Sequence, residues 1–149
     1  MLIVEPGDPR ETQAKALLQS SHSLMQELYP PECNYFLSVD DLCGPDIDFF
    51  VAREGADILG TGALVNYGDY GEVKSMFTSD KARGKGVAAA ILRQLEDHAR
   101  GLELPLLRLE TGDELAAAVR LYTSHGFTRC GIFGDYRPNQ TSVYMEKAL

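Results

Sequence analysis

A strand, a charged loop with glycines and a helix follow one another between Gly71 and Leu95, and this run constrains the chain more than any other stretch. Residues 72–78 alternate as a half-buried strand does, with Val73, Ser75 and Phe77 toward one face and Glu72, Lys74, Met76 and Thr78 toward the other. Arg83, Gly84, Lys85, Gly86, Val87 and Ala88 then lead into a helix. The first amides of a helix lack intrahelical partners and carry the positive end of its dipole. Glycines that let the backbone approach closely turn such a junction into a cradle for phosphate. Lys81, Arg83 and Lys85 add cations there, in a chain whose formal charge is −8. That local reversal of sign points to an anionic ligand.

Two nucleotide motifs compete for the loop. The triphosphate-binding pattern Gly-x-x-x-x-Gly-Lys-Ser/Thr is absent. Gly84, Gly86 and Ala89 fit the dinucleotide pattern Gly-x-Gly-x-x-Ala, with Glu110 as a ribose-binding acid after the next strand. Its context is poor, because Ser79 to Arg83 separate the strand from the glycines and a dinucleotide fold alternates strands with helices. Residues 47–53, 58–66 and 72–78 are instead three successive strand candidates. The turns at residues 54–57 and 67–71 join them as an antiparallel meander.

Leu2 to Val4 reads as a first strand. A helix from Pro9 carries Ala14, Leu17, Leu18, Leu24, Met25 and Leu28 at helical spacing and stops at Pro30 and Pro31. Residues 32–45 are irregular, with one turn capped by Ser38 and Asp41. Beyond the glycine loop, Ala88, Ile91, Leu92, Leu95, Ala99 and Leu102 share a helical face, and Gly101 and Pro105 close that helix. A strand over residues 106–110 follows. Thr111 and Glu114 then have capping-box spacing, opening a helix that puts Leu115, Ala118, Val119 and Tyr122 on one face and ends at Gly126. Strands near residues 127–132 and 142–147 finish the chain. The expected architecture is one domain over residues 1–149, of the α/β (α+β) class, with a mixed, mainly antiparallel sheet flanked by helices.

Composition narrows the partners. Hydrophobic residues at 44% and charged residues at 24% are those of a globular domain, and no apolar run reaches the ~18 residues that a membrane helix needs. The N-terminus carries acid where a signal peptide carries base, so a cytoplasmic location and no membrane partner are expected. Cys33, Cys43 and Cys130 suggest neither a disulfide framework nor a zinc site, and His22, His98 and His125 form no metal pair. No metal is expected. The acidic balance argues against nucleic acid and mildly favours a cationic or amine substrate. A homodimer is left open.

Arg83-x-x-Gly86-x-Ala88 resembles the pyrophosphate-loop signature of the GCN5-related N-acetyltransferases (GNAT), and Leu121-Tyr122-x-x-x-Gly126-Phe127 is similar to their second signature. The resemblance runs from about Phe49 to the C-terminus. The C-terminal stretch, with Glu110-Thr111-Gly112, looks like the small bacterial YsnE-like subgroup. The resemblance implies a GNAT-like sheet and an acetyl group moved from acetyl-CoA to the amine of a small molecule by direct attack. Main-chain groups at Met76, Phe77 and Thr78 would hold the pantetheine and thioester, and Arg83, Gly84, Lys85, Gly86, Val87 and Ala88 the pyrophosphate. Tyr122 would be the general acid for the departing thiolate and Glu72 the general base, directly or through water. Phe133, Tyr136 and Ser142 lie where such proteins close over the acceptor. Leu115 departs from the Asn or Gln of many relatives, which leaves a coenzyme A binding module without turnover as the alternative. The dinucleotide enzyme is the remaining rival.

Overall fold

The computed structural model describes residues 1–149. The strands are β1 (Leu2–Pro6), β2 (Ile47–Glu54), β3 (Asp57–Asn66), β4 (Gly71–Thr78), β5 (Leu106–Gly112), β6 (Thr128–Arg129) and β7 (Ser142–Ala148). The helices are α1 (Thr12–Leu28), α2 (Val87–Gly101) and α3 (Ala116–Ser124). All strands join one sheet in the order β1-β2-β3-β4-β5-β7-β6, antiparallel throughout except for the β4–β5 pair. This is the expected single-domain, mainly antiparallel α/β arrangement. It also removes the dinucleotide reading, because the strands before the glycine loop form a meander and not a doubly wound sheet.

The helices cover both faces of the sheet. On one side Ala14 and Leu18 of α1 pack with Phe49, Val51 and Ala63. On the other, Val87, Ile91, Leu92, Leu95 and Ala99 of α2 and Tyr122 of α3 pack with Val73, Leu107, Leu109 and Met145. Val87 takes the buried place that helical spacing assigns to Ala88, and Leu102 is exposed at the helix end, where Leu104 is buried in its stead.

Three local expectations are corrected. The helix predicted from Pro9 starts at Thr12, because the Glu11 side chain caps it by accepting from the Gln13 amide. Thr111 and Glu114 do not form a capping box. Pairing of β5 with β7 continues through Thr111↔Val143 to Gly112↔Ser142, which holds Thr111 in the sheet, and the Glu114 amide donates to the Tyr29 hydroxyl instead. The strand expected over residues 127–132 shrinks to Thr128 and Arg129, with Phe127 buried in the core.

A bulge shapes the region around β4. Thr61 pairs with Phe77 and Ala63 with Lys74, so Gly62 stands opposite both Ser75 and Met76. Ser75 takes a φ of 57°, and its carbonyl accepts from the Thr61 hydroxyl at 2.8 Å. The extra residue breaks the strict alternation read from the sequence. Met76 consequently packs on the same side as Val73, against the α2 core. Gly62 is where α2 comes closest, since a Cβ there would lie 2.4 Å from Ile91 Cγ2 and 2.9 Å from Met76 Sδ. Gly62→Ala is therefore expected to cost ~1–3 kcal/mol through overpacking, measured as a lower midpoint in urea. An unchanged midpoint would mean that α2 can shift away freely.

Candidate active site

The bulge bends β4 away from β5. Their parallel pairing covers only Gly71↔Leu107, Glu72↔Arg108 and Val73↔Leu109. Past that point β4 continues on β3, and β5 continues on β7, so a V-shaped opening separates Lys74–Thr78 from Glu110–Gly112. Main-chain groups along the open edges of both strands have no strand partner. Such an edge accepts an extended ligand much as a sheet accepts another strand. Met76, Phe77 and Thr78 lie along it.

The opening leads to the start of α2. Gly84 and Gly86 have φ of 82° and 74°, which the sequence meets with the residue that tolerates it, and a Cβ at either would project into open space. Gly86 is the N-cap of α2 and provides no side-chain bond to the first amides of the helix. Those amides, dipole included, face outward beside the exposed Lys85. Arg83 is drawn to Asp80 at 3.1 Å and Lys85 to Glu54 at 3.6 Å, both pairs being solvent-exposed. No group of three or more His, Cys, Asp or Glu is placed to hold a metal.

Tyr122 stands at the floor of this opening. It lines the cleft together with Val73, Lys74, Ser75, Met76, Glu110 and Leu115. Its ring is buried edge-on against Phe127, at 5.8 Å between centroids. Burial alone pushes its phenol well above the ordinary tyrosine range, with no hydrogen bond or charge opposing it. The end of α3 locks this placement: the Phe127 amide donates to the Tyr122 carbonyl at 3.0 Å, and Gly126 turns the chain with a φ of 90°.

Glu72 projects to the opposite face of the sheet, so the structure does not bring it into contact with Tyr122. It is 4% exposed and accepts a hydrogen bond from the Tyr136 hydroxyl. Lys74 Nζ lies 3.8 Å from the same carboxylate oxygen and donates to Tyr136 Oη and to the Tyr35 carbonyl, each at 2.9 Å. Desolvation raises the Glu72 pKa above the usual carboxylate range, against the opposing pull of Lys74 and Tyr136. Glu110, a ribose-binding acid in the dinucleotide reading, instead accepts from Ser142 Oγ at 2.6 Å, and burial raises its pKa also. Asn139 fixes that serine, donating to its Oγ and accepting from its amide, both at 2.9 Å.

The opening between β4 and β5 thus passes through the sheet. Tyr122 sits on one side, and Glu72, Lys74 and Glu110 sit on the other under the loop between β6 and β7. Sequence reasoning misses Lys74, Tyr35 and Tyr29. Lys74 has the pattern of an ordinary outward strand residue, and the tyrosines belong to α1 and the irregular segment after it. Only the clustering of tyrosines near the turns and the C-terminus hints at an aromatic wall.

Comparison with known proteins agrees with this fold. The model of the acetyltransferase (GNAT) family matches residues 14–127. An IAA acetyltransferase of Azospirillum brasilense is 39% identical, over 95% of this chain and 94% of its own. The uncharacterized N-acetyltransferase YsnE of Bacillus subtilis is 37% identical, over 92% of this chain and 93% of its own. Among solved structures, a Klebsiella pneumoniae protein assigned by inference as an acyl-CoA N-acyltransferase superposes with a TM-score of 0.85 at 28% identity, covering 100% of this chain and 98% of that one. A GNAT-fold acetyltransferase of Elizabethkingia anophelis with acetyl-CoA bound shares the fold at a TM-score of 0.71 and 15% identity, covering 99% and 98%.

Proposed function

The chain belongs to the GNAT family of acetyltransferases, and from that premise we propose that it moves an acetyl group from acetyl-CoA to the amine of a small molecule by direct attack. The observation that carries this reading is the termination of β4–β5 pairing at Val73↔Leu109, which leaves a slot in the sheet between an uncapped helix N-terminus and a buried tyrosine. The open main chain of Met76, Phe77 and Thr78 suits the pantetheine and the thioester carbonyl, which fixed dipoles would polarise. The amides of Gly84, Gly86, Val87 and Ala88, with the Lys85 and Arg83 side chains alongside, suit the pyrophosphate, while the Lys85 amide is taken by the Ala82 carbonyl at 3.2 Å.

The acid and base act from opposite sides of the slot. Glu72 takes the proton that an ammonium must lose before its nitrogen can attack. Its raised pKa makes it a stronger base than an ordinary glutamate, and the Tyr136 hydroxyl offers it a proton path. Tyr122 gives its proton to the departing thiolate. Burial makes the phenol a weaker acid, but a thiolate forming in the same dry slot is also destabilised, so the transfer does not become correspondingly steeper. Leu115 lines the cleft where a polar side chain would give one more contact. The main-chain edge does not depend on that contact.

Acetyl-CoA should raise the melting temperature, because a ligand bound only by the folded state adds about 2.7 kcal/mol at ~100 times its Kd. The site is tested by Ala89→Glu. This residue is third in α2, where a carboxylate bends back toward the N-cap amide and favours the helix by ~0.3–1 kcal/mol. The variant should fold at least as stably as the wild type yet bind acetyl-CoA at least about tenfold more weakly by calorimetric titration, through occupation and repulsion at the phosphate site. Unchanged affinity would move the pyrophosphate elsewhere.

A further inference from the structure

Beside Glu72, on the face opposite Tyr122, lies a second pocket of about 400 Å³. It adjoins the cleft through Tyr35 and Lys74, which line both. Four of its ten lining residues are tyrosines. Tyr67 and Tyr70 face each other at 5.1 Å, Phe133 bridges Tyr70 to Tyr136 at 5.8 and 5.3 Å, and Tyr35 meets Tyr136 edge-on at 4.9 Å. Behind this wall the Arg108 guanidinium rests on Tyr70 and Phe133, at 4.8 and 5.5 Å, and holds the rings in place. Leu37 and Val65 complete the apolar lining.

The charged groups facing the pocket are Glu72, Lys74 and Asp135, a balance of one net negative charge. Lys74 is already engaged: two of its three donors go to the Tyr35 carbonyl and Tyr136 Oη, and its ammonium is ion-paired with Glu72 at 3.8 Å. Its charge is already matched by Glu72, and the pocket's net negative balance disfavours an acceptor's carboxylate. A flat ring fits the tyrosine walls, and an ammonium beside such rings and Glu72 meets both their π-faces and a carboxylate. A long polyamine would find only Asp135, exposed to solvent, as a second acid, and would lay the rest of its chain against Leu37, Val65 and the tyrosines.

Resting on the acyltransferase reading, we propose that the acceptor is an arylalkylamine, a primary amine on a short chain carrying an aromatic ring and no carboxylate. The ring occupies the tyrosine pocket and the nitrogen reaches past Glu72 toward the slot. The ammonium first loses one proton to Glu72, which releases it to solvent. The free amine then bonds to the acetyl carbon as the carbon–sulfur bond breaks, its second proton passes to Glu72, and the thiolate takes the proton of Tyr122, which solvent replaces.

The test is thiol release from acetyl-CoA with phenethylamine, phenylalanine, putrescine and a lysyl peptide. Phenethylamine should show a kcat/KM at least about tenfold above each of the others. Tyr67, which is 55% exposed and outside the proton path, supplies the second arm. Tyr67→Ala should raise the KM for phenethylamine several-fold with kcat and acetyl-CoA affinity little changed. Preference for phenylalanine, putrescine or the peptide, or a Tyr67→Ala KM equal to wild type, overturns the pocket assignment and leaves the acyltransferase intact. Acetyl-CoA binding without thiol release for any amine overturns the acyltransferase reading itself, and the proposal with it.

Discussion

Tyr122→Phe is expected to lower kcat by ~10²-fold or more while leaving acetyl-CoA affinity unchanged, because it deletes one proton and almost no buried surface. The ring stays in place: Phe fills the same volume against Phe127, and no hydrogen bond opposes the burial of the hydroxyl that would be lost. Removing a buried hydroxyl without a protein partner should keep stability the same or raise it slightly. The activity loss should shrink with an acyl donor whose thiol is more acidic, since such a leaving group departs without a proton. A residue that served only packing would show neither the loss nor its dependence on the thiol. Because burial raises the phenol pKa, the wild-type rate should show no loss from Tyr122 ionisation near neutral pH. A Phe variant with wild-type kcat, measured where chemistry limits turnover, would assign Tyr122 to the core alone.

Glu72→Gln is expected to cost ~10²–10⁴-fold in kcat/KM for an amine, the usual worth of a positioned general base. Gln keeps the oxygen that accepts from Tyr136, so the lid contact between β4 and the loop before β7 survives. Basicity is lost, together with the charge that faces Lys74 at 3.8 Å. Desolvation raises the folded carboxyl pKa, so the wild-type kcat/KM should climb with pH through a value above the ~4.3 of an ordinary glutamate. That rising limb should vanish in Glu72→Gln, leaving only the titration of the amine itself. A Gln variant that keeps the limb, with a small change in rate, would mean that solvent removes the proton.

Much of this architecture is legible in the amino-acid sequence, and the reason is local. The strands of the meander, the glycine loop and α2 are each specified by short-range periodicity and by residues that suit their turns. Tyr122 is legible through its spacing to Gly126 and Phe127, which reflects one helix end and its cap. Less visible are features set by partners distant in sequence. The capping box at Thr111 and Glu114 has the right residues, yet pairing with β7 keeps Thr111 in the sheet and Tyr29, from the far end of α1, satisfies the Glu114 amide. The bulge at Ser75 depends on Gly62 in the neighbouring strand and on the close approach of Ile91. Strict alternation along β4 therefore assigns Met76 to the wrong face. The setting of Glu72 is likewise nonlocal, since Tyr136 and Tyr35 reach it from two separate loops.

The central claim is that the slot between β4 and β5 delivers an acetyl group to an amine held on the Glu72 side. The most direct measurement follows, in one reaction, the thiol released from acetyl-CoA and the acetylated amine by mass spectrometry. Equal amounts of the two, both falling together in Tyr122→Phe and Glu72→Gln, are the predicted result. Thiol release without an acetylated amine, or tight acetyl-CoA binding with neither product across the amine panel, would contradict it.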